Sequence, residues 1–480
     1  MDDRAKRFRA WNALDGRQEI VSPETVLPEK DLVFFLLDTI PHLDLSAFYE
    51  YYSRDGRGQP PFSVEMMVTL LVYSYSVGIF SSRKIAAACE RNLAFLAIVG
   101  QERPDFRTIS EFRKHHRAAM QPLFIEVLRL AGEVGMVKLG NFSTDGTKIE
   151  ANASRHKAMS YGYMTKELAR LEQEIAQLLD QADRVDAEQD AALGSRRGDE
   201  LPDELKRRED RLVKIREAKE RLEAEARQRA VEEQRQRDAA EAERQAAGKK
   251  RRGKEPAPVD PTPEDKAQTN FTDPEAKIMK RSNKGFDYCY NAQAVVDGEH
   301  QIIVAAEVTA AANDKQQAVP LAQAAVDNLA AAAIERPRDD QGRPLPIPNT
   351  ADNGYYSEEN VRGVAAVGLD PHFAVGRQKH HPPTTAGTAA IEASATATTS
   401  APVADENPKA AMARKLRTLS GKTLYAARKH IVEPVFGQIK YVRGFRKFLL
   451  RGLDLVSAEW KLICLTHNLL KIWRHVSSVP

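Results

Sequence analysis

Cysteine is scarce in this sequence of 480 residues, and long apolar runs are missing from it. The three cysteines, Cys89, Cys289 and Cys464, lie far apart and fit neither a disulfide framework nor the close pairs of a zinc site. No run of about eighteen apolar residues occurs, and the N-terminal segment MDDRAKRFRAW lacks the apolar stretch of a signal peptide. We therefore expect a soluble cytoplasmic protein that has no membrane partner.

Charge is abundant, although the two signs nearly cancel. Charged residues make up 29% of the chain and hydrophobic residues 42%, and the formal net charge is only +3. The segment from Arg414 to Arg451 is different, because it holds eleven Lys or Arg side chains and one carboxylate, Glu433. The length predicts two or three domains, and the basic segment favours nucleic acid as a partner.

The first part of the chain, residues 1–135, is predicted to be an α-helical domain. It contains apolar runs such as residues 32–37, and Gly- and Pro-rich breaks separate them. The segment Arg107–Arg117 is predicted to be a basic helix that carries Arg113 and Lys114. Two short helices joined by a turn favour a DNA-binding helix-turn-helix, but an ordinary helical bundle has the same pattern.

From residue 136 to residue 475 the pattern changes to strands that alternate with helices, which predicts a mixed α/β sheet with flanking helices. Val, Ile and aromatic residues mark the strands, and Asp297-Gly298 is a hairpin turn signal. We predict strands at Asn141–Ala151, Phe286–Val296 and Gln301–Val308, a helix at Ala318–Ile334, a short strand ending at Ala351-Asp352, a helix from about Ser357, and a short strand near His372–Val375.

Two segments interrupt this α/β region. Residues 163–265 begin with an apolar seam from Leu168 to Val185 whose spacing by three and four residues is typical of a coiled coil, and a looser seam continues to Leu222. We predict an antiparallel helical hairpin and a flexible linker, both inserted between strands. Residues 380–412 are predicted to be a low-complexity loop, since Ala, Thr and Ser dominate the stretch 384–400.

Two aspartates occupy positions where a carboxylate could carry chemistry. Asp145 lies within a predicted strand, where a partly buried carboxylate is costly unless it binds a cation. Asp352 ends a short strand, at the kind of crevice where α/β sheets bind ligands. Each residue could instead be a turn residue that accepts a hydrogen bond from the backbone.

Glu433 lies among basic and aromatic residues on a predicted helix. At 100° per residue, Tyr425, Lys429, Glu433 and Lys440 share one face. A solvated face of ion pairs is the alternative, and such pairs contribute little to stability. Because Pro434 follows directly, the helix must either kink there or start there with Glu433 as its N-cap.

Asp145, Asp352 and Glu433 together would suit a divalent cation. Mg²⁺ prefers oxygen ligands and keeps several waters. Two such ions about 4 Å apart can activate an attacking oxygen and stabilise a leaving one in phosphodiester cleavage. The basic residues around Glu433 would then neutralise the phosphates of a bound strand, which makes binding dependent on salt.

Four segments of the sequence, in this order, resemble the motifs of a known family: STDGTKIEANAS, YNAQAVVD, ADNGYYSEENV and YAARKHIVEPVFGQIK. The chain resembles an insertion-sequence transposase of the DDE type, with a ribonuclease H-like catalytic core. The resemblance covers about residues 30–160 and 268–475. It implies a helical domain before the catalytic core, and the basic helix Arg107–Arg117 predicts that this domain, residues 1–135, binds the transposon ends.

The resemblance implies a role for each residue of these motifs. Asp145, Asp352 and Glu433 would be the catalytic residues and the ligands of two Mg²⁺ or Mn²⁺ ions. The last motif has one residue more than usual between Arg428 and Glu433, so either Arg428 or Lys429 fills its arginine position. The predicted contacts to DNA are those of Tyr425, Arg428, Lys429, Lys440, Arg443, Arg446 and Lys447, together with Arg113 and Lys114.

The implied activity is cleavage and strand transfer of double-stranded DNA at inverted-repeat ends, by a homodimer assembled on the DNA in the nucleoid of a bacterial cell. A stand-alone nuclease is one alternative, and it would cut without joining. A DNA-binding regulator that has lost the chemistry is another. No nucleotide partner is expected, because Gly421-Lys422-Thr423 lacks the earlier glycine and the strand of a phosphate-binding loop.

Overall fold

The computed structural model describes residues 22–52, 61–193, 203–246, 248, 257–281, 285–376 and 407–478. Most of the predicted loop at 380–412 lies outside these residues, as do the N-terminal stretch 1–21 and the basic run 249–254. Within the described ranges, no helix combines the length and the apolar character that a membrane span requires.

Helices make up the described N-terminal part of the chain. Ser63 caps the longest apolar one by accepting a hydrogen bond from the backbone N–H of Met66, and Asp105 caps the basic one through Arg107 and Thr108. The helices are α1 (Pro23–Val26), α2 (Leu32–Thr39), α3 (Ser46–Tyr49), α4 (Val64–Ser76), α5 (Ser82–Arg91), α6 (Leu93–Val99), α7 (Phe106–His115) and α8 (Met120–Glu133).

A mixed sheet follows the helices. Its six described strands are β1 (Phe142–Glu150), β4 (Lys277–Lys280), β5 (Phe286–Asp297), β6 (Ile303–Thr309), β7 (Ile347–Ala351) and β8 (Leu369–Phe373), and β2 (Ala158–Ser160) and β3 (Gln268–Asn270) form a separate pair. The order is β4-β5-β1-β7-β8, and β6 also pairs with β5. β1 is antiparallel to β5 and parallel to β7, so the sheet changes from antiparallel to parallel at β1.

Helices cover the sheet and join it to the N-terminal part. They are α11 (Ala318–Ala331), α12 (Glu358–Ala366), α13 (Pro408–Arg417), α14 (Leu419–Gly437) and α15 (Leu453–Ser478). The buried side chains of α4, α8 and α15 belong to the same hydrophobic core as those of β5 and β6. The N-terminal helices therefore share one core with the sheet.

A helical hairpin separates β1 from β5 along the chain. It consists of α9 (Tyr161–Leu193) and α10 (Asp203–Ala246). Leu168 and Leu171 of α9 pack against Leu212 and Ile215 of α10 in a hydrophobic cluster of their own. Polar contacts join Tyr161 to Glu223 (2.9 Å) and Glu167 to Arg211 (3.0 Å). The later residue of α9 thus contacts the earlier residue of α10, so the two helices are antiparallel.

The mixed sheet with its flanking helices and inserted hairpin confirms the predicted fold class. The hairpin predicted at Asp297-Gly298 is also confirmed, because β5 and β6 are consecutive antiparallel strands and the loop between them begins at Gly298. Asp297 N–H donates to the carbonyl of Ile302, which closes a longer loop, and Gln301 carries the positive φ of 60°. Gly298 is required for space instead, since a Cβ there would lie 2.0 Å from Oδ1 of Asn141.

Candidate active site

Asp145 and Asp352 come from neighbouring strands. β1 and β7 are parallel, and Ser143 pairs with Thr350. Two residues further along each strand, the same register places Asp145 beside Asp352. Since neighbouring strands lie about 4.8 Å apart, the sheet holds the two carboxylates next to each other.

Asp145 lies in an environment that penalises its charge. Its side chain is only 21% exposed, and this burial raises the pKa of the carboxyl to about 6, with a smaller contribution from the negative charge of Asp352. Arg428 opposes that shift through Nη1, which lies 3.1 Å from Oδ2. The backbone N–H of Gly146 donates to Oδ1 at 2.8 Å. A cation beside Asp145 therefore stabilises its ionised form.

Asp352 directly follows β7 and begins the turn Asn353–Tyr355. Its Oδ1 accepts a hydrogen bond from the backbone N–H of Gly354 at 2.7 Å. This is the turn interaction that the sequence suggested as an alternative to ligand binding. It uses one oxygen of the carboxylate, so the structural role and a ligand role are compatible at this residue.

Glu433 lies on α14, as Arg428 does, and its side chain is exposed. Five residues correspond to about 140° of rotation on a helix, so the two side chains leave α14 in different directions, and Arg428 is the one that contacts Asp145. In the described ranges, no group of three or more His, Cys, Asp and Glu side chains is arranged to hold a metal ion. The structure thus brings Asp145 and Asp352 together without Glu433.

The aspartate pair fits part of a divalent cation site. Carboxylate oxygens are the ligands that Mg²⁺ and Mn²⁺ prefer, and these ions keep waters in their remaining positions. The burial of Asp145 adds to the fit, because a buried carboxylate is costly without a cationic neighbour. A set of three carboxylates is not assembled in this conformation.

Tyr425, Lys429 and Glu433 share one face of α14 as predicted, whereas Lys440 lies beyond the end of this helix. Pro434 lies inside α14, which Thr418 caps far upstream, so the alternative that the helix starts at Pro434 was wrong. A π-helical turn, Gln438–Val442, follows α14 and interrupts the periodicity before Lys440. The ammonium of Lys440 donates to Oγ1 of Thr147 at 2.8 Å. Thr147 shares a face of β1 with Asp145, since side chains alternate along a strand.

Most of the remaining residues predicted to contact DNA are exposed or partly exposed. Tyr425 packs with Arg428, whose guanidinium carbon lies 6.0 Å from the ring centre. Lys429 and Arg446 are exposed. Lys447 pairs with Glu150 (2.9 Å) and Lys114 with Glu111 (2.9 Å), both on the surface. These side chains remain available to a phosphate backbone.

Arg113 and Arg443 are corrections to the predicted DNA contacts, since they are 5% and 6% exposed. Arg113 donates to the hydroxyl of Tyr75, at 2.7 Å, and to that of Ser82, also at 2.7 Å. Arg443 donates to Oγ1 of Thr466 at 2.7 Å, and burial lowers its pKa to about 10. Both guanidinium groups are bound inside the protein, so neither faces a phosphate in this conformation.

Sequence reasoning missed a polar network behind the aspartates, centred on Asp314. Its Oδ1 accepts from Asn291 (2.6 Å) and Gln293 (2.7 Å) and lies 3.4 Å from the ammonium of Lys148. The hydroxyl of Tyr355 donates to Oε1 of Gln293. The available signal was weak, because Asp314 is one carboxylate in the polar loop after β6, and its partners lie on other strands.

Two family models match the chain. A transposase domain (DUF772) matches residues 21–115, and a transposase DDE domain matches residues 391–473, the segment that contains α14 and Glu433. Neither match includes Asp145 or Asp352. No curated protein and no solved structure matches the chain significantly.

Proposed function

We propose that the chain is an insertion-sequence transposase of the DDE type, which the matches to a transposase domain and a transposase DDE domain support. In this proposal it cleaves double-stranded DNA at the inverted-repeat ends of its element and joins the freed 3′ end to target DNA. The observation that carries this proposal is the pair Asp145 and Asp352 at the edge where β1 meets β7. Parallel neighbouring strands converge there, as in other ligand sites of α/β sheets.

Asp145 and Asp352 are the proposed holders of two divalent cations, Mg²⁺ or Mn²⁺. When bound, these ions polarise a phosphodiester, activate the attacking oxygen and stabilise the leaving one. The aspartates supply the negative charge and fix its position on the sheet. Arg428 lowers the cost of keeping Asp145 ionised, and the same guanidinium is suited to a phosphate of the bound strand.

Glu433 is the proposed third carboxylate, through the resemblance of its motif to that of the family. Its exposed position on α14 leaves the side chain accessible to metal and DNA. The proposal requires that Glu433 move towards Asp145 and Asp352 when the metal ions and DNA bind. This separation also favours a second candidate, a DNA-binding regulator that does not cleave.

The proposed DNA surface consists of exposed or half-buried cations near the aspartates, with a further one on α7. These are Arg428, Lys429, Lys440, Arg446, Lys447 and Lys114, with Tyr425 packed beside Arg428. Each cation that neutralises a phosphate releases a counterion, so binding weakens as salt rises. Because the N-terminal helices share a core with the sheet, recognition of the ends has to be tested in the whole chain. Two copies of the chain would bind the DNA ends as a dimer.

The test compares cleavage, joining and binding of end DNA by the purified chain in Mg²⁺. We expect Asp145→Asn, Asp352→Asn and Glu433→Gln to abolish cleavage while the affinity for DNA stays within a few-fold of wild type. Asp327→Asn is the matched control, because Asp327 is exposed on α11, and it should cleave normally. Normal cleavage by either aspartate variant would rule out the proposed site. Cutting without joining indicates a nuclease, and binding without cutting by the wild type indicates the regulator.

A further inference from the structure

We propose that Asp314 is a positioning residue that fixes the turn carrying Asp352 and so sets the affinity of the aspartate pair for a divalent cation. This inference rests on the proposed function. Asp314 belongs to none of the motifs that resemble the family, and it lies in the loop between β6 and α11.

Asp314 is held firmly by three donors. The amides of Asn291 and Gln293 donate to its Oδ1 at 2.6 Å and 2.7 Å, and the ammonium of Lys148 lies 3.4 Å from the same oxygen. The side chains of Asp314 and Lys148 are 24% and 20% exposed. A half-buried charged group with these partners has a fixed position, because each donor would lose a hydrogen bond if it moved.

The carboxylate of Asp314 determines which way the amide of Gln293 points. Only the NH₂ group of Gln293 can donate to Asp314, so its Oε1 faces the opposite way and accepts from the hydroxyl of Tyr355. Tyr355 is fully buried and ends the turn that Asp352 begins. The path from Asp314 to Asp352 is therefore a chain of two hydrogen bonds and one tight turn.

Two glycines show how closely this network approaches the aspartates. A Cβ at Gly146, the neighbour of Asp145, would lie 2.3 Å from Nε2 of Gln293. A Cβ at Gly354 would lie 2.9 Å from Oδ1 of Asp352 and 3.6 Å from Oδ2 of Asp314. One oxygen of Asp314 and one of Asp352 therefore both lie close to Gly354, in the turn that the network supports.

Asn360 ties the loop of Asp314 to the same turn from the other side. Its amide donates to the backbone carbonyls of Lys315 (2.5 Å) and Tyr355 (2.7 Å). The loop and the turn are therefore linked at two points. Hydrogen-bonded partners of this kind orient metal ligands, and their loss typically lowers metal affinity by roughly 10- to 100-fold.

The experiment measures Mn²⁺ binding to the full chain without DNA, by the electron paramagnetic resonance signal of the free ion. We expect the Kd for Mn²⁺ to rise by roughly 10-fold or more in Asp314→Asn, which can present an NH₂ group to Gln293 and release its orientation. Tyr355→Phe removes the second hydrogen bond without changing any charge and should also weaken binding. Asp327→Asn should bind as the wild type does.

The outcomes separate this inference from the proposed function. One outcome contradicts the inference alone: the wild type binds Mn²⁺ and Asp352→Asn does not, but Asp314→Asn and Tyr355→Phe bind it normally. If circular dichroism shows that both of these variants are folded, Asp314 has no positioning role. If the wild type itself does not bind Mn²⁺, the metal site is wrong, and the inference is wrong with it. If Asp314→Asn does not fold, the Kd of Tyr355→Phe decides.

Discussion

The side-chain amide of Gln301 donates to the backbone carbonyl oxygen of His430 at 2.8 Å. In a regular helix that carbonyl accepts from the residue four positions later, which here is Pro434, and proline has no N–H. Gln301 thus replaces the hydrogen bond that Pro434 removes from α14. Its Oε1 also accepts from the ammonium of Lys471 at 2.7 Å, so the β5–β6 loop supports both α14 and α15.

Replacing Gln301 should lower the free energy of unfolding. Gln301→Ala removes this exposed hydrogen bond to the carbonyl of His430, which we expect to cost about 0.5–1.5 kcal/mol. Gln301→Gly loses the same amide but relieves the positive φ of 60°, so it should be about 1 kcal/mol more stable than the Ala variant. Urea unfolding measures both, with the exposed Gln323→Ala as the control. Equal stabilities of the Ala and Gly variants would contradict the backbone argument.

Asp145 should make stability depend on pH. Its folded pKa of about 6 exceeds the unfolded value of about 3.9, so the folded state binds the proton more tightly. The resulting stabilisation grows as pH falls through 6 and is complete below about pH 4. Asp145→Asn mimics the protonated form, so its stability relative to wild type should be greater at pH 8 than at pH 5, by an amount on the order of 1–3 kcal/mol.

Guanidinium unfolding in EDTA between pH 5 and pH 8 checks that prediction. EDTA is needed because a bound cation would favour the ionised carboxylate. The exposed Asp327→Asn should show a difference from wild type that does not vary with pH. A pH-independent difference for Asp145→Asn would mean that burial does not perturb this carboxyl.

Glu459 joins the N-terminal helices to α15 and should be essential for stability. It is 2% exposed, its Oε1 accepts from the hydroxyl of Tyr75 (2.8 Å), and its Oε2 accepts from the backbone N–H groups of Leu449 and Leu450. Glu459→Gln places an NH₂ group against donors and leaves the buried Arg113 without its nearby charge. We expect a loss of about 3–5 kcal/mol in a urea titration.

Asp454 provides the matched comparison on the same helix. Its carboxylate pairs with Arg117, and its side chain is 77% exposed. Exposed pairs contribute about 0–1 kcal/mol, so Asp454→Asn should scarcely change the unfolding midpoint. Similar losses in both variants would show that burial does not govern the contribution of Glu459.

The hairpin should unfold independently of the sheet. Ile215 is 1% exposed in the small cluster that α9 and α10 share, which is separate from the main core. Ile215→Asp buries a charge between the two helices and should abolish amide protection in residues 161–193 and 203–222. Hydrogen exchange followed by mass spectrometry should show β5 and β6 still protected. Loss of protection in these strands would identify the hairpin as part of the core.

The elements that could be predicted from sequence are those with local signals. β1, β5 and β6 agree with their predicted bounds to within a few residues, because apolar and β-branched residues mark them. The inner part of the hairpin seam, Leu168 and Leu171, is packed as predicted. The strand pair β2 and β3 and the short β4 were missed, since three or four residues carry too little periodicity.

The parts of the site that could not be predicted depend on burial and on partners distant in the chain. Arg113 has the charge of a DNA contact and lies in a basic helix, but its guanidinium is buried and donates to Tyr75 and Ser82. Asp314 gains its role from Asn291 and Gln293 on β5, and no spacing rule connects them. The register between β1 and β7 brings Asp145 to Asp352, whereas the position of Glu433 depends on the rotation of α14.

The place of β1 in the sheet has a consequence for biosynthesis. Both neighbours of β1 come later in the chain: β1 ends at Glu150, whereas β5 begins at Phe286 and β7 at Ile347. At about 5–20 residues per second, the ribosome needs roughly 7 to 30 s to reach β5 after finishing β1. During this interval the hairpin can form from its own local contacts, while both edges of the central strand stay unpaired. The nascent chain therefore exposes both unpaired edges of β1 to chaperones for longer than it would if a partner strand followed directly.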